Sequence, residues 1–337
     1  MPKRAGHIKE KMVSEENICE AYRLASRGRS HTQGVRSFRE NEEKNLSAIK
    51  RMLDDGTFRS SDYRFFQIHE RGKTRNIASL PFYPDRVVHW ALTLATKDIF
   101  INSFISQTYA AIPGRGTHQA LRDLKRALRN PEAKYCLKMD VHHYFESIDK
   151  DIMMQKVQHK IKDPAVIALY HEIIYGYPRE GIPIGNLTSQ YLANLYLSDI
   201  DHYIKEDYRC RWYFRYMDDI IILGWSTTWL RRVKTVIEHK LADIGLSLNR
   251  RWQIFPTADR GVDFVGYRSW RTYTLLRTGT KRRLAKKMKM IMKTIGSLTI
   301  SQRSCIASYH GILQWCDGHR LHRKYIDPII TKMEATA

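Results

Sequence analysis

The sequence predicts an α+β fold in which an antiparallel sheet is combined with longer helical segments. The stretch 212–224, WYFRYMDDIIILG, has two apolar arms rich in Ile, Tyr, Phe and Trp on either side of a polar pair. These residue types favour buried strands, and the polar pair falls where the turn of a β-hairpin must lie. A second hairpin pattern occupies 63–80, and apolar residues at helical spacing recur outside both hairpins.

The polar pair of the first hairpin is Asp218 and Asp219. Adjacent carboxylates between two apolar strands repel each other and are costly to remove from water, and a divalent cation relieves both problems. A turn without function is the alternative, because Asp is a common turn residue. The pair therefore indicates a metal site only if other motifs accompany it.

The composition indicates a nucleic-acid partner. The 337 residues include 57 Lys and Arg against 35 Asp and Glu, which gives a formal net charge of +22. A surface this basic attracts nucleic acid, but the charge specifies a class of partner and no chemistry. A chain of this length can bury a sizeable core and predicts two or three subdomains.

The cysteines and the apolar runs bear on the cellular compartment. The five cysteines are scattered and odd in number, which argues against a disulfide framework and for a reducing compartment. No apolar run reaches membrane-spanning length, and the basic N-terminus lacks the apolar stretch of a secretory signal. We therefore expect a cytoplasmic protein that has no membrane partner.

Helical patterns precede and follow the two hairpins. Residues 1–60 are expected to form a helical extension, with helices at 14–29 and at about 37–53. Further helices are predicted at 149–161 and 164–175. From residue 275 the chain is basic and helical, and a charge run of this kind indicates either a solvated face or a face that follows a nucleic-acid duplex.

Three cations are candidate phosphate contacts. Lys73 and Arg75 lie near the tip of the 63–80 hairpin, where they indicate either a solvated turn or a flap that meets a triphosphate. Arg115 lies in a Gly-Arg-Gly turn, and glycine lets a backbone approach a phosphate closely. A plain turn is the alternative at Arg115.

A third carboxylate, Asp140, lies near the end of a short predicted strand, 135–141. Aromatic residues, Tyr144 and Phe145, follow four and five positions later. An aspartate that caps the next turn is the alternative interpretation of Asp140. Downstream, 181–190 (GIPIGNLTSQ) is a glycine-bearing turn that leads into a helix, one strand before the Asp218–Asp219 hairpin.

These motifs resemble those of reverse transcriptases. Tyr216-Met217-Asp218-Asp219 resembles the YxDD box, Asp140 with Phe145 resembles palm motif A, and 80–90 (LPFYPDRVVHW) resembles the Pro…Asp-Arg segment that opens bacterial reverse transcriptase domains. The glycine turn resembles motif B, and 261–267 (GVDFVGY) resembles the primer grip.

Motif B departs from the commoner Gln-Gly…Ser-Pro pattern. This chain has Ile184-Gly185 followed by Ser189-Gln190, a form that resembles the reverse transcriptases of diversity-generating retroelements. Relatives also often have a lysine where this chain has Trp252, so a proton-donor role for that lysine does not transfer.

The resemblance implies a right-hand polymerase of fingers, palm and thumb, with an antiparallel palm sheet that includes the YMDD hairpin. The implied domains are a helical extension at 1–60, fingers at 61–131, a palm at 132–270 with a fingers insertion at about 160–185, and a basic thumb at 271–337.

The resemblance also implies roles for single residues. Two Mg²⁺ ions, or Mn²⁺ as a substitute, would be held by the carboxylates of Asp140, Asp218 and Asp219 and by the Val141 carbonyl. The other implied contacts fall into two sets. Substrate contacts are Lys73, Arg75, Arg115, Phe145 (as the gate against ribose), Ile184, Gly185, Gln190 and Tyr216; nucleic-acid contacts are Gly266, Tyr267, Lys286, Lys287 and Lys289.

The implied activity is RNA-directed DNA polymerisation with deoxynucleotides on an RNA template and a primer. For the retroelement subfamily, the resemblance further implies error-prone copying at template adenines and a small, basic, oligomeric accessory protein as a partner. Two alternatives stay open. One is another bacterial reverse transcriptase, from a retron, a group II intron or a phage-defence system; the other is a non-enzymatic RNA-binding protein on a polymerase fold.

Overall fold

Short antiparallel sheets connected by helices make up residues 4–70, 73–294 and 297–334, which are the residues that the computed structural model describes. The mixed helix and sheet class predicted from the sequence is confirmed. The chain forms two compact units. Unit 1 comprises Met1–Ile112, Asp140–Cys210 and Thr235–Arg250, and unit 2 comprises Pro113–Met139, Arg211–Lys234 and Arg251–Ala337.

The helices, in chain order, are α1 Lys9–Val13, α2 Glu15–Ser26, α3 Gln33–Glu40, α4 Glu42–Asp54, α5 Val87–Ile101, α6 Thr117–Leu128, α7 Lys150–Lys160, α8 Pro164–Tyr175, α9 Leu187–His202, α10 Thr227–Ala242, α11 Thr257–Arg260, α12 Thr278–Met292, α13 Ile300–Leu313, α14 His319–Tyr325 and α15 Asp327–Glu334. The strands are β1 Arg64–Glu70, β2 Lys73–Ser79, β3 Tyr135–Asp140, β4 Trp212–Tyr216, β5 Asp219–Gly224, β6 Gln253–Pro256, β7 Val262–Phe264, β8 Tyr267–Ser269 and β9 Thr274–Leu276.

The helical extension at the start of unit 1 packs on α5. The buried amide of Asn17 donates hydrogen bonds to the carbonyls of Met12 (2.9 Å) and Ala91 (3.0 Å), which ties α1 and α2 to α5. The helix predicted at 14–29 is confirmed as α2. The single helix predicted at about 37–53 is wrong, because the backbone breaks at Asn41 (φ −134°, ψ 43°) and two helices, α3 and α4, form instead.

The hairpin predicted at 63–80 is confirmed. Strands β1 and β2 pair in antiparallel register from Arg64 opposite Ser79 to Glu70 opposite Lys73. The turn residues 71 and 72 lie outside the described residues. Phe66 and Ile68 are each 43% exposed, so apolar side chains on one face of this hairpin contact solvent.

One carboxylate holds the first described residues to the helices α7 and α8. Asp163 is the N-cap residue before α8, and its side chain accepts hydrogen bonds from the backbone N–H groups of Ile8 (2.8 Å) and Lys9 (2.9 Å). Ala5 forms a parallel bridge with Ile161 beside it. Burial by itself raises the pKa of the Asp163 carboxyl, but the backbone donors outweigh burial and bring the pKa below its usual value.

The main sheet of unit 2 has the strand order β4-β5-β3-β6. Strands β4 and β5 form the hairpin predicted at 212–224, and Ile220–Leu223 on β5 are buried. Strand β3 pairs with β6 in antiparallel register, Tyr135 opposite Pro256. It is followed directly by the segment of unit 1 that begins at Asp140.

The rest of unit 2 is a three-stranded sheet, β7-β8-β9, and the helices α12–α15. Their shared core includes Tyr267, Leu276, Leu284, Met288 and Ile306. The basic segment after residue 275 is therefore helical, as predicted. The domain boundaries implied by the resemblance stay predictions. Within the described ranges, no helix combines the length and the apolar character needed to cross a membrane.

Replacement of Asp163 by Ala should reduce the free energy of unfolding by about 1–3 kcal/mol, because buried N–H donors lose their acceptor. Because the folded-state pKa of Asp163 is lowered, the stability that its carboxylate contributes is fully present above the unfolded-state pKa of about 3.9. That stability is lost as the pH falls through the lower folded-state pKa. Chemical unfolding of both proteins across acidic pH measures this difference. Asp54→Ala is the control, since its exposed ion pair with Lys9 (3.2 Å) should contribute at most about 1 kcal/mol.

Candidate active site

The turn of the β4–β5 hairpin presents the Asp218 carboxylate. Tyr216 pairs with Asp219 in the strand register, so Met217 and Asp218 form the turn between them. Met217 has φ +54°, a left-handed conformation that costs a non-glycine residue roughly 1–2 kcal/mol. All four residues are half-buried, and burial raises the pKa of the Tyr216 hydroxyl.

Arg215 supports this turn from inside the sheet. Its side chain is fully buried, and its Nη1 donates a hydrogen bond to the Met217 carbonyl (3.0 Å). A buried guanidinium is stable only where its donors are satisfied, so the contact links the arginine to the strained turn. Sequence reasoning missed Arg215; the available signal was one charged residue inside an otherwise apolar strand.

Lys138 on β3 lies beside Asp219. The lysine Nζ is 3.7 Å from Asp219 Oδ2, and both side chains are about a quarter exposed, 27% and 28%. Lys138 also donates to the Asp263 carbonyl. The ammonium group lowers the local negative charge at Asp219. Lys138 lies in a strand that the sequence predicts, but the sequence motifs indicate no role for it.

In unit 1, the Asp140 carboxylate is oriented by Asn249. The Asn249 Nδ2 donates to Asp140 Oδ2 (3.0 Å), and the Asn249 backbone N–H donates to the Asp140 carbonyl (2.8 Å). Val141 next to it is buried and forms an antiparallel bridge with Leu248. Asn249 was also missed as a site residue, because its link to Asp140 joins positions far apart in sequence.

The structure brings Phe145 and the predicted motif B loop together within unit 1. The Phe145 carbonyl accepts a hydrogen bond from the Ile182 N–H (2.8 Å). Gly181 has φ +73°, and a Cβ at this position would overlap the Phe145 carbonyl. Glycine is therefore required at 181 by both its backbone conformation and the close approach. The Phe145 ring is half-buried and packs edge-on against Tyr144.

The same loop packs on the end of β2. The Ala78 N–H donates to the Ile184 carbonyl (3.3 Å). Gly185 has φ +131°, and a Cβ there would lie 2.8 Å from the Ala78 carbonyl oxygen. Ile184 is half-buried, and Gln190 is exposed on α9. The helix was predicted to follow Gln190, whereas α9 begins at Leu187.

The predicted phosphate contacts are distributed over both units. Arg75 is exposed on β2, opposite Ile68. Lys73 is the first residue of β2, and its side chain lies outside the described residues. Arg115 is half-buried in the turn before α6, in unit 2. That Lys73, Arg75 and Arg115 contact a triphosphate stays a prediction.

The predicted nucleic-acid contacts of unit 2 differ in exposure. Lys286, Lys287 and Lys289 are all exposed on α12. Gly266 has φ +94° in the turn between β7 and β8. Tyr267 is only 4% exposed, its hydroxyl donates to the Ile312 carbonyl (3.1 Å), and burial raises its pKa to about 12. The ring of Tyr267 therefore belongs to the core. Any contact of this residue with a nucleic-acid strand is restricted to its backbone.

Comparisons with known proteins decide the family. Residues 67–269, more than half of the 337-residue chain, match the family described as Reverse transcriptase (RNA-dependent DNA polymerase). The chain belongs to the reverse transcriptase family. The predicted enzyme class, RNA-directed DNA polymerase, is confirmed. Reverse transcriptase domains use nucleic-acid templates and primers and generally require divalent metal ions, typically Mg²⁺.

Two proteins of similar sequence and one solved structure accompany this family match. The chain is 26% identical over 312 residues to Protein YkfC of Escherichia coli (strain K12), covering 76% of this chain and 81% of YkfC. It is 24% identical over 174 residues to Group II intron-encoded protein LtrA of Lactococcus lactis subsp. cremoris, covering 49% of this chain but only 29% of LtrA. The solved structure of truncated apo telomerase from Candida tropicalis gives a TM-score of 0.48 at 10% identity, covering 70% and 60% of the two chains.

The donor chemistry of this reverse transcriptase suits Mg²⁺, since aspartate oxygens are the ligands that hard cations prefer. Asp140, Asp218 and Asp219 are half-buried, so each keeps solvent access for a ligand. Among the described residues, no group of three or more His, Cys, Asp or Glu side chains is arranged to hold a metal ion. That these three carboxylates bind metal ions together therefore stays a prediction.

The contact between Asn249 and Asp140 predicts the effect of Asn249→Asp. A second carboxylate in place of the amide would remove the hydrogen-bond donor to Asp140 and place a like charge beside it. Deoxynucleotide incorporation should fall at least about tenfold, the factor for 1.4 kcal/mol. Asn130→Asp, which preserves the acceptor used by the Glu132 N–H (2.9 Å), makes the same charge change and should leave incorporation as in the parent. Parental incorporation by the Asn249 variant would show that Asn249 does not orient Asp140 for catalysis.

Proposed function

We propose that this reverse transcriptase copies a template RNA into cDNA by two-metal phosphoryl transfer at Asp140, Asp218 and Asp219. The observation that supports this proposal is the strand order: β5, which begins with Asp219, neighbours β3, which ends with Asp140. Asp140 and Asp218 would hold both ions, with the Val141 carbonyl. Bound Mg²⁺ would supply an activated primer 3′-hydroxyl and charge stabilisation on the triphosphate.

The chain's own residues would orient these carboxylates. Arg215 holds the turn that presents Asp218, and Asn249 fixes one oxygen of Asp140. The ammonium group of Lys138 lies 3.7 Å from Asp219, where it would compete with a metal for that carboxylate. This competition supports a lesser metal role for Asp219 than for the other two aspartates.

Other residues would act on the incoming nucleotide. Lys73, Arg75 and Arg115 would neutralise phosphate charge as it develops. The Phe145 ring would exclude a ribose 2′-hydroxyl by its size, and the hydrogen bond between its carbonyl and Ile182 supports a fixed backbone for that task. The exposed Lys286, Lys287 and Lys289 on α12 would follow the phosphates of the duplex.

The finer proposal is error-prone copying for a diversity-generating retroelement, with a small basic accessory protein as partner. It depends on Ile184 and Gln190 in motif B. The Ile184 side chain can form no hydrogen bond with the template strand or the nascent base pair. At this position, only apolar contact and shape can therefore distinguish a correct base pair from an incorrect one. Such apolar contact usually contributes only about 1–3 kcal/mol, which favours misincorporation.

A group II intron-like function is the second candidate. The similarity to LtrA, whose name describes a group II intron-encoded protein, favours it. The two candidates differ in the errors expected in the cDNA, because only the retroelement function requires mutation directed to template adenines.

Asp218→Asn tests the metal site. The lost carboxylate should reduce Mg²⁺-dependent incorporation at least about 100-fold, since a bound metal contributes several kcal/mol of charge stabilisation. Template–primer affinity should stay near the parental value, because it depends on the +22 charge of the chain. Single-turnover extension and a binding titration measure the two quantities, with the exposed Asp207→Asn as a charge-matched control. Parental activity in the Asp218 variant would refute the assignment.

Ile184→Gln tests the fidelity proposal. An amide near the nascent pair should lower misincorporation, most strongly opposite template adenine, while activity is retained. The backbone position should persist, because the Ile184 carbonyl, not its side chain, accepts from Ala78. Sequencing of cDNA copied by both proteins from one RNA template is the measurement, and Ile184→Leu should match the parent. If the active Gln variant makes errors opposite template adenine at the parental frequency, Ile184 is not the cause of those errors.

A further inference from the structure

Strand pairing in unit 2 holds an ammonium group beside one of the three aspartates of the candidate site. Lys138 lies in β3, and Asp219 is the first residue of β5, the neighbouring strand of the same sheet. The lysine Nζ is 3.7 Å from Asp219 Oδ2, and both side chains are half-buried. The lysine therefore has a defined place next to this carboxylate, although the sequence motifs assign it no role.

A second acceptor holds the same ammonium group. Lys138 Nζ donates a hydrogen bond to the backbone carbonyl of Asp263 on β7. An ammonium group has three N–H donors, so this bond leaves two for other acceptors. The lysine can therefore move off the Asp219 carboxylate and still keep an acceptor. Displacement of the lysine by a cation costs less for this reason, because the ammonium group is not left unsatisfied.

The Asp263 carboxylate has a cation of its own and does not draw the lysine away from Asp219. Arg277 Nη2 forms an ion pair with Asp263 Oδ1. Arg277 is the N-cap residue of α12, and its backbone N–H donates to the Gly266 carbonyl (3.1 Å). These contacts fix the arginine beside β7. With Asp263 neutralised by Arg277, the positive charge of Lys138 acts on Asp219.

An ammonium group and a divalent cation are alternative partners for one carboxylate. Each neutralises the negative charge, so a lysine at the distance found here lowers the affinity of Asp219 for another cation. Water reaches both half-buried side chains and weakens this effect without removing it. The lysine therefore raises the concentration of divalent cation that is needed to occupy Asp219.

We propose that Lys138 is a positioning residue that occupies Asp219 in place of a divalent cation and so sets the Mg²⁺ concentration that the enzyme requires. A cation that binds at Asp219 displaces the ammonium group, which stays on the Asp263 carbonyl. This inference rests on the metal role proposed above for Asp219. It goes beyond that role because it names the group with which the metal competes and the contact that receives this group afterwards.

The test is the binding of Mn²⁺ to the full chain without nucleotide or template, measured by electron paramagnetic resonance of the free ion. Asp219→Asn first identifies the part of the binding that depends on the Asp219 carboxylate. In Lys138→Met, this part should tighten by about tenfold, the lower end of the effect of a neighbouring charge on a carboxylate, because both groups are partly exposed. The Mg²⁺ concentration for half-maximal deoxynucleotide incorporation should fall in the same variant.

Two control variants separate the charge of Lys138 from its packing. Lys138→Arg keeps the positive charge and should keep the parental Mn²⁺ affinity. Lys134→Met, at an exposed position just before β3, removes the same charge from the surface and should also match the parent. If unfolding midpoints show that Lys138→Met is destabilised, Lys138→Gln takes its place, because the amide keeps an N–H donor while the charge is lost.

Three results would overturn this proposal alone. Parental Mn²⁺ affinity in Lys138→Met, with the Asp219-dependent binding intact, would leave the lysine as a structural link between β3 and β7. An equal gain of affinity in Lys138→Arg would show that packing limits the metal, and an equal gain in Lys134→Met would assign the effect to the overall charge of the chain. Failure of the metal role of Asp219 gives a different result, since Asp219→Asn would then bind Mn²⁺ as the parent does, and both proposals would fall.

Discussion

The buried guanidinium of Arg215 and the carbonyl of Met217 form the interaction on which the candidate active site depends. Met217 is in a left-handed conformation that a non-glycine residue adopts at a cost, and the arginine donates to its carbonyl from inside the sheet. Because β5 is buried as far as Leu223, the turn cannot move without disturbing that core. The strained turn and the buried charge therefore stabilise each other, and Asp218 is presented by a rigid support.

In unit 1, close contacts between backbone segments provide the rigid support for the candidate site residues. Gly181 and Gly185 let the motif B turn lie against the Phe145 carbonyl and against β2, and in each case a Cβ would meet a carbonyl oxygen. The helical extension is joined to this unit by buried polar contacts, from Asn17 to Ala91 and from Asp163 to Ile8. Buried polar groups need defined partners, so these contacts fix the position of the extension.

Local patterns predicted most of the elements. The hairpins at 63–80 and 212–224 and the helices α7 and α8 follow from apolar periodicity and turn residues, which depend on near neighbours in sequence. The break between α3 and α4 at Asn41 was missed, because helical periodicity continues through it. Likewise Gln190, expected before a helix, lies within α9, whose first residue is Leu187. Boundaries of this kind depend on packing partners that a sequence window does not contain.

By itself, the sequence determined the enzyme class of this reverse transcriptase and predicted its site residues: three aspartates, a basic surface, and a motif B with isoleucine in place of glutamine. These are properties of residue identity and local spacing. Only the tertiary structure decided which groups support them, namely Arg215 under the turn, Lys138 beside Asp219 and Asn249 on Asp140. It also moved Tyr267 from a predicted nucleic-acid contact into the core. The physical reason is that desolvation and hydrogen-bond satisfaction depend on neighbours in space, and Asn249 is 109 positions away from the carboxylate that it orients.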